Sequence, residues 1–315
     1  MNGTKLDILL PTYNRATDLA KNLKLLDEQA NKLNGKPIKI IISNNASTDD
    51  TFTYLEDLKT EKLSFELEIY HQPTNIGLEP NAIFLLSKSK SNFIMYLGDD
   101  DFLPNGYLDF VISTIRTDQE LGSIIPGFSA LYKDGTVHES RNACFDVKKY
   151  DKGFNSLLKI SHFGHQLSGL VSKREGLLES YLAMEDCRNI YPFIFFISKP
   201  IKELNSYYAP KYQVLVSQEN VKDWNYDESG LLTEVFKNYK LLYPNAALKR
   251  LLLELSFSTN QSWRLRAGRN LKNAGQAFLH LAKSKNVDVM FKLALPALYV
   301  LCYVKKIDKL IKRAA

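Results

Sequence analysis

Cysteine is scarce and scattered. The 315-residue chain holds three, Cys144, Cys187 and Cys302. They have no CxxC or Cys/His spacing, which excludes a disulfide scaffold and a cysteine-based zinc site and fits a reducing, cytoplasmic setting. A charged amino-terminal segment leading into an apolar stretch is missing too. The chain opens Met-Asn-Gly-Thr-Lys-Leu-Asp, so no secretory leader is expected. No apolar run reaches the ~20 residues of a membrane-spanning helix. The nearest, Val289 to Val304, has 16 residues and is interrupted by Lys292 and Pro296. Internal repeats and low-complexity tracts are also lacking. What remains is ordinary globular composition, 45% hydrophobic and 24% charged, sufficient for a full core in one large or two medium domains.

Charge is unevenly spread. The net +6 comes from 41 Lys/Arg against 35 Asp/Glu. Residues 246–315 hold 14 basic against 3 acidic residues and the preceding 245 hold 27 against 32, so the tail is +11 and the body −5. Such a split predicts a basic surface on the C-terminal part that meets phosphates, whether of lipid head groups or of nucleic acid.

Along the first 120 residues strands alternate with helices. Leu6-Asp-Ile-Leu-Leu10 is a strand stopped at Pro11, and Leu19, Leu23 and Leu26 follow at helical spacing. Ile38 to Ile42 is a second strand, followed by the polar loop Ser43-Asn-Asn-Ala-Ser-Thr-Asp-Asp-Thr51, whose Ser, Thr and Asp side chains can cap a helix to about Lys59. Phe65, Leu67 and Ile69 alternate as a third strand. His71 to Pro80 is a loop, Asn81 to about Lys88 a helix, and Phe93-Ile-Met-Tyr-Leu-Gly-Asp-Asp-Asp-Phe-Leu-Pro104 a fourth strand running into three acids. The pattern predicts a mainly parallel α/β sheet. Beyond it, Ser123 to Ile125 reads as a strand, residues 129–138 as a hairpin around Asp134-Gly135, and His165 to Ser172 as a further strand. Helices are expected at 173–182 and 191–198. From Ala246 onward the pattern is helical, with Ala267, Leu271, Ala274, Phe278 and Leu281 on one face.

The chemistry-bearing pieces each have a plain reading. Asp99-Asp100-Asp101 can be an acidic helix start favoured by the helix dipole, or a site for a compensating cation, since three adjacent like charges repel. An EF-hand is excluded, because a loop begun at Asp99 would put Phe110 where the bidentate Glu belongs. Asn44-Asn45 with the following Ser-Thr-Asp can be a capped turn, or can place an amide at a strand end against a pyrimidine edge. Asn75-Ile-Gly77 with Asn81 can be a plain loop-to-helix connection, or a place where backbone approaches a ligand. His162 and His165 read first as structural hydrogen-bond partners, and Trp263 and Trp224 as packing residues, although Trp224 can stack on a sugar.

Taken in order, Pro-Thr-Tyr-Asn-Arg after the first strand, Asn-Asn-Ala-Ser-Thr-Asp after the second, Asn-x-Gly before a helix and Asp-Asp-Asp-x-x-Pro after the fourth resemble glycosyltransferase family two. The Leu-Gly-Asp-Asp-Asp-Phe-Leu-Pro stretch is most similar to its abequosyltransferase-like branch of bacterial surface-polysaccharide enzymes. The resemblance spans residues 5–120 strongly and 120–200 weakly. It implies a GT-A fold, a Rossmann-like mixed sheet flanked by helices, with a C-terminal helical extension. Its expected layout is a catalytic domain at 1–245, divided into a nucleotide-binding half at 1–120 and an acceptor half at 121–245, and a basic helical region at 246–315.

The resemblance also implies roles. Pro11, Thr12, Tyr13 and Arg15 correspond to the first nucleotide-contacting loop, joined by Asn75, Gly77 and Asn81. Asn44 stands where the family usually has an Asp that accepts the base N3–H. An amide offers both donor and acceptor, so uracil, thymine and cytosine remain open. Gly98 replaces the first acid of the family's Asp-x-Asp. Asp100 then matches the metal-holding acid for Mg²⁺ or Mn²⁺, Asp99 lies by the ribose, and Asp101 supports the metal site. Glu185 and Asp186 are the nearest match to the acceptor-side general base, Asp186 foremost, and a shifted match would put Asn189 there. The implied reaction is an inverting transfer from a UDP-, dTDP- or CDP-sugar to a lipid-linked oligosaccharide or other glycan of an O-antigen or capsule. A non-catalytic nucleotide- or glycan-binding module is the alternative. The expected location is the cytoplasmic face of the plasma membrane, with the C-terminal region on anionic lipid, where each Lys or Arg near the surface is worth about 1 kcal/mol. Nucleic acid is not an expected partner, since no aromatic-basic interleaving accompanies the charge.

Overall fold

The computed structural model describes residues 6–34, 37–138, 146–218, 228–266 and 271–314, with the side chains of 228–230, 271 and 305–314 left aside. Trp224 and Cys144 lie outside these residues. In chain order the elements are β1 (Leu6–Thr12), α1 (Ala16–Ala30), β2 (Ile38–Asn44), α2 (Thr51–Leu58), β3 (Glu66–His71), α3 (Leu78–Lys88), β4 (Phe93–Tyr96), α4 (Tyr107–Thr117), β5 (Leu121–Leu131), β6 (Val137–His138), β7 (Lys148–Tyr150), α5 (Phe154–Ile160), β8 (Val171–Lys173), α6 (Leu177–Leu182), α7 (Pro192–Ile201), β9 (Asn205–Ser217), α8 (Glu228–Leu242), α9 (Ala247–Asn260), α10 (Leu271–Lys283) and α11 (Val289–Ala314).

Among the described residues all nine strands belong to one sheet ordered β3-β2-β1-β4-β8-β5-β9-β7, with β6 paired to β5. The pairs β1–β2, β1–β4 and β2–β3 are parallel, whereas β8 runs antiparallel to both β4 and β5. The chain leaves β1 toward β2 and β3 on one side and returns to place β4 on the other. The crevice above the carboxyl ends of β1 and β4 is therefore a topological switch point, where open α/β sheets bind ligands. The apolar runs of β1 and β2 are fully buried, as strands covered on both faces must be. Leu19, Leu23 and Leu26 of α1 pack into the same core as Leu6, Ile8, Ile40 and Ile42.

The one charge inside β1 is fully hydrogen-bonded. Buried Asp7 accepts from the Ser89 and Ser91 hydroxyls at 2.7 and 2.6 Å and from the Lys90 and Ser91 N–H groups at 2.9 and 3.0 Å. That anchors the turn before β4, as a buried charge requires.

Several expected elements change extent. Strand β1 continues through Pro11 to Thr12, pairing Pro11 with Ser43. The expected strand at 165–172 shrinks to β8, because 161–165 is 3₁₀ and Gly169 takes φ 79°, a conformation that suits a turn. Its N–H instead bonds the Tyr96 carbonyl at 2.8 Å. The hairpin around Asp134-Gly135 forms as β5–β6.

The chain divides into two compact units. The first comprises Met1–Gly153, Gln166–Ser180 and Lys199–Val221 and holds the sheet. The second comprises Phe154–His165, Tyr181–Ser198 and Lys222–Ala315; the boundary expected at 245 falls inside it. This helical unit has its own core, with Phe236 against Phe291 at 4.8 Å between ring centroids and Phe278 against Tyr299 at 5.5 Å. Tyr299 buries its ring and donates its hydroxyl to the Leu265 carbonyl at 2.9 Å. Cys187 and Cys302 are buried. Helix α11 runs through Pro296, and among the described residues no helix is long and apolar enough to cross a membrane.

Candidate active site

The acidic turn after β4 is held from three directions within the sheet unit. From below, Asn22 of α1, 1% exposed, donates to the Gly98 and Asp101 carbonyls at 2.9 and 2.8 Å and lies 3.4 Å from the Asp99 carbonyl. From β9 and the segment before β8, Ser217 N–H donates to Asp101 Oδ1 at 2.9 Å and the Ser168 hydroxyl donates to Asp101 Oδ2. The Ser168 oxygen also accepts the Gly98 N–H at 3.0 Å. From the first loop, the Tyr13 N–H points at Asp99 Oδ2 at 3.4 Å, and the Arg15 guanidinium donates to Asp100 Oδ2 at 2.8 Å.

The three acids thus have different tasks. Asp101, 6% exposed, has both carboxylate oxygens engaged in bracing the turn. Asp99 and Asp100 are half-buried. Burial, then the neighbouring Asp100 charge, push the Asp99 carboxyl up to about 7 against the opposing Thr12 hydroxyl, Arg15 and Tyr13 N–H. Asp100 is also raised, by burial, with Arg15 opposing. The pair is a concentration of hard anionic oxygen with Arg15 as its ion-paired cation.

Gly98 has a steric reason to be glycine. A Cβ there would lie 3.0 Å from Asp101 Oδ2 and 3.3 Å from Ser168 Oγ, so a side chain at the first position of the acidic motif would press on the brace that shapes it.

The loops after β1 and β2 latch together. Thr12 and Asn44 end their strands side by side. Asn14, at φ 52°, donates its N–H to Ser47 Oγ at 2.9 Å and accepts the Thr48 N–H at 2.7 Å. Arg15 N–H reaches Thr51 Oγ1 at 3.2 Å and Ala16 N–H reaches Asp49 Oδ2 at 3.3 Å. Asp49 is partly desolvated, yet the Thr51 hydroxyl and the Thr51 and Ala16 N–H groups hold its carboxyl below the usual range.

Asn44, 2% exposed, is drawn into this scaffold. Its Oδ1 accepts the Ser47 N–H at 3.0 Å and its Nδ2 lies 3.2 Å from His71 Nδ1. His71 Nε2 in turn lies 2.9 Å from Glu56 Oε1. With Nε2–H donating to Glu56, Nδ1 is left to accept from Asn44. Little of the Asn44 edge is therefore open to a base. Asn45 bonds Asn75 Oδ1 and the Ile76 N–H, both at 2.9 Å. Asn75 also accepts the Gly77 N–H at 2.9 Å, and Gly77 adopts φ 84° at the start of α3. Asn81, 1% exposed, is bonded to Ser43 through its hydroxyl at 2.6 Å and its carbonyl at 3.3 Å. The exposed large apolar side chains here are Tyr13 on the first loop, at 40%, and Phe52 at the start of α2, at 50%.

The structure therefore brings Thr12, Tyr13, Arg15, Asp99 and Asp100 together. It uses Asn44, Asn75, Asn81 and Asp101 to shape the loops. Asn22, Ser168 and His71 were not foreseen. Asn22 carries a usable signal, an amide set between Leu19, Leu23 and Leu26 on an apolar helix face. Ser168 and His71 carry none, since their partners are distant in sequence.

Glu185 and Asp186 lie in the helical unit, in a short 3₁₀ turn. Asp186 has an exposed side chain paired with Lys240 at 2.7 Å, and Lys240 holds its carboxyl below the usual range. Asn189 is buried and bonded to Tyr181 and Asn238. His162 and His165 belong to the same unit, both pushed down to about 4 chiefly by burial.

Residues 7–173, over half of the chain, match the model of glycosyl transferase family 2. The chain belongs to that family. A curated relative from Campylobacter jejuni, GalNAc(5)-diNAcBac-PP-undecaprenol beta-1,3-glucosyltransferase, is 29% identical over 106 residues. That match covers 33% of this chain and 32% of the relative, so the chain spans about a third of the curated protein it matches. Among solved structures, S. aureus TarS 1–349 with UDP-GlcNAc superposes with a TM-score of 0.67 at 12% identity, covering 95% of this chain and 89% of that one. The mannosyltransferase PcManGT of Pyrobaculum calidifontis, solved with GDP-Man and Mn²⁺, gives 0.54 at 14% identity over 95% and 87% of the two chains. The fold is thus the GT-A type, with C-terminal helices.

Proposed function

We propose that the chain is a metal-dependent glycosyltransferase that moves a sugar from a UDP-, dTDP- or CDP-sugar to a lipid-linked oligosaccharide or related glycan, with inversion. The observation that carries this reading is the partly buried Asp99–Asp100 pair at the switch point, clamped against the first loop by Arg15 and Tyr13. The UDP-GlcNAc bound to TarS supports a pyrimidine-nucleotide donor, the GDP-Man and Mn²⁺ bound to PcManGT support a nucleotide-sugar used with a metal, and the undecaprenol-linked substrate in the Campylobacter relative's name supports the acceptor.

The donor set suits a divalent cation. Two adjacent carboxylates face one guanidinium, and burial with their mutual repulsion disfavours having both charged, a cost that a divalent cation would offset. Among the described residues no group of three His, Cys, Asp or Glu forms a ligand set. One or two carboxylates completed by substrate phosphates is the usual arrangement for Mg²⁺. Asp100, with Asp99, would hold the ion, which when bound supplies Lewis-acid stabilisation of a leaving diphosphate.

The chain's own residues do the rest. Arg15 sets the Asp100 carboxylate, and Asp101 with Asn22 keeps the turn rigid, so that the charge-stabilising groups need not reorganise during the reaction. Tyr13 offers an exposed ring to the nucleotide. The acceptor hydroxyl must lose its proton as the new bond forms. Glu185 and Asp186 are the candidates for receiving it, and Asp186 would have to release Lys240 first. Attachment to the inner membrane face accords with a lipid-linked acceptor.

A panel of UDP-, dTDP- and CDP-sugars with Mn²⁺ tests the proposal. One of them should be hydrolysed slowly to free sugar and nucleoside diphosphate, with the rate falling on chelation of the metal. A panel in which every nucleotide-sugar binds and none turns over would favour a non-catalytic module.

A further inference from the structure

We infer that the outward face of α11 is a lipid-docking surface that lays this helix along an anionic membrane. Residues Val289, Leu293, Val300 and Val304 of α11 are 68%, 77%, 63% and 55% exposed, and Met290 and Leu301 are 39% and 43% exposed. Pro296 and Ala297 are exposed between them. The positions recur at three- and four-residue steps, so they form one continuous stripe. Every exposed side chain from 289 to 304 is apolar. The helix also has a buried stripe, with Phe291, Leu295 and Leu298 at 0%, 0% and 4% exposed. Packing within the protein therefore accounts for one apolar face and leaves the other unexplained. A helix face turned only to water would carry polar residues.

Geometry and charge select the occupant. Residues 289–304 span about 24 Å of helix, short of the ~30 Å hydrocarbon core, and no described helix can cross a membrane. The stripe can lie in the interface. Directly after it the sequence carries Lys305, Lys306, Lys309, Lys312 and Arg313 against Asp308, within a region of 14 basic and 3 acidic residues. A second copy of this chain would bring one strongly cationic region against another. Anionic head groups supply the opposite charge beside an apolar layer that accepts the stripe. The inference deepens the proposed function, whose lipid-linked acceptor lies at a membrane, but its test needs no sugar transfer.

The full chain should sediment with vesicles containing phosphatidylglycerol and much less with phosphatidylcholine alone. The double variant Leu293→Glu, Val300→Glu should lower partitioning to the anionic vesicles about ten-fold or more, while nucleotide-sugar hydrolysis in solution stays unchanged. Both side chains are exposed, so the far-ultraviolet circular dichroism and melting should match the wild type. The milder Leu293→Ser, Val300→Ser pair should weaken binding in the same direction. Wild type remaining in the supernatant, or variants sedimenting as well as wild type, would overturn the inference. So would a wild-type dimer by light scattering that the double variant converts to monomer, since the stripe would then serve self-association.

Discussion

Ala46 shows how tightly the loops after β1 and β2 are drawn. It sits at φ 61°, a left-handed conformation that costs an L-residue roughly 1 kcal/mol. The latch of Asn14 on Ser47 and Thr48, with Asn44 on Ser47, holds it there. Ala46→Gly should relieve that strain and raise stability by about 0.5–1 kcal/mol, read as a higher urea midpoint with an unchanged slope. A lower midpoint would mean that Ala46 contributes packing that outweighs its strain. At this scale the sequence was partly legible. The acids, Arg15 and Tyr13 stand out as types in a pattern. The division of labour among Asp99, Asp100 and Asp101 does not, because it depends on Ser168 and Ser217, whose approach is set by sheet order. Asn44 likewise reads as a free amide until His71 and Ser47 are seen on either side of it.

Elements were legible where periodicity was clean and lost where special residues interrupted it. The parallel β1–β4 half follows from apolar runs and capped loops. Strand β9 was missed because Pro210 and Lys211 break its alternation, and β5–β9 shifts register at Pro126/Gly127 to accommodate the irregularity. Helix α8 was missed although Leu232, Val235, Phe236 and Tyr239 line its buried face, because its Lys and Asn content masks the stripe.

The 3₁₀ turn at 161–165 makes a separate pH prediction. His162 is 8% exposed and pushed down to about 4, first by burial and then by the charge of His165. Between an unfolded value of about 6.5 and the folded value, the unfolded chain binds a proton that the folded chain refuses. Stability from this group is therefore lost as pH falls, by roughly 2 kcal/mol between pH 7 and 5. Asp99 and Glu254, each raised to about 7, act with the opposite sign over that range. The measurement is therefore a difference: the loss of stability on acidification should be smaller by about that amount in His162→Gln than in the wild type. Equal losses in the two proteins would show that His162 is not held neutral.

At the scale of the whole molecule, the sequence separates an acidic body from a basic tail, and the fold places the basic segment in a helical unit with a core of its own. The sheet unit carries the acidic turn and loop latches, and the helical unit carries Glu185, Asp186 and the α11 stripe. The C-terminal region was legible as amphipathic and basic. The second apolar face of α11 was not, since periodicity alone cannot say which of two stripes is buried.

The central claim is that Asp100 carries turnover in a site whose shape does not depend on it. Asp100 is a partly buried side chain, 18% exposed and ion-paired to Arg15, while Asn22, Asp101 and Ser168 build the turn. The most direct test is single-turnover transfer or hydrolysis of the active nucleotide-sugar by Asp100→Ala, measured beside its thermal unfolding. The account predicts a rate at least ~10³-fold lower, the scale of a lost charge-stabilising group, with melting close to that of the wild type. Turnover at the wild-type rate by a folded Asp100→Ala protein would contradict it.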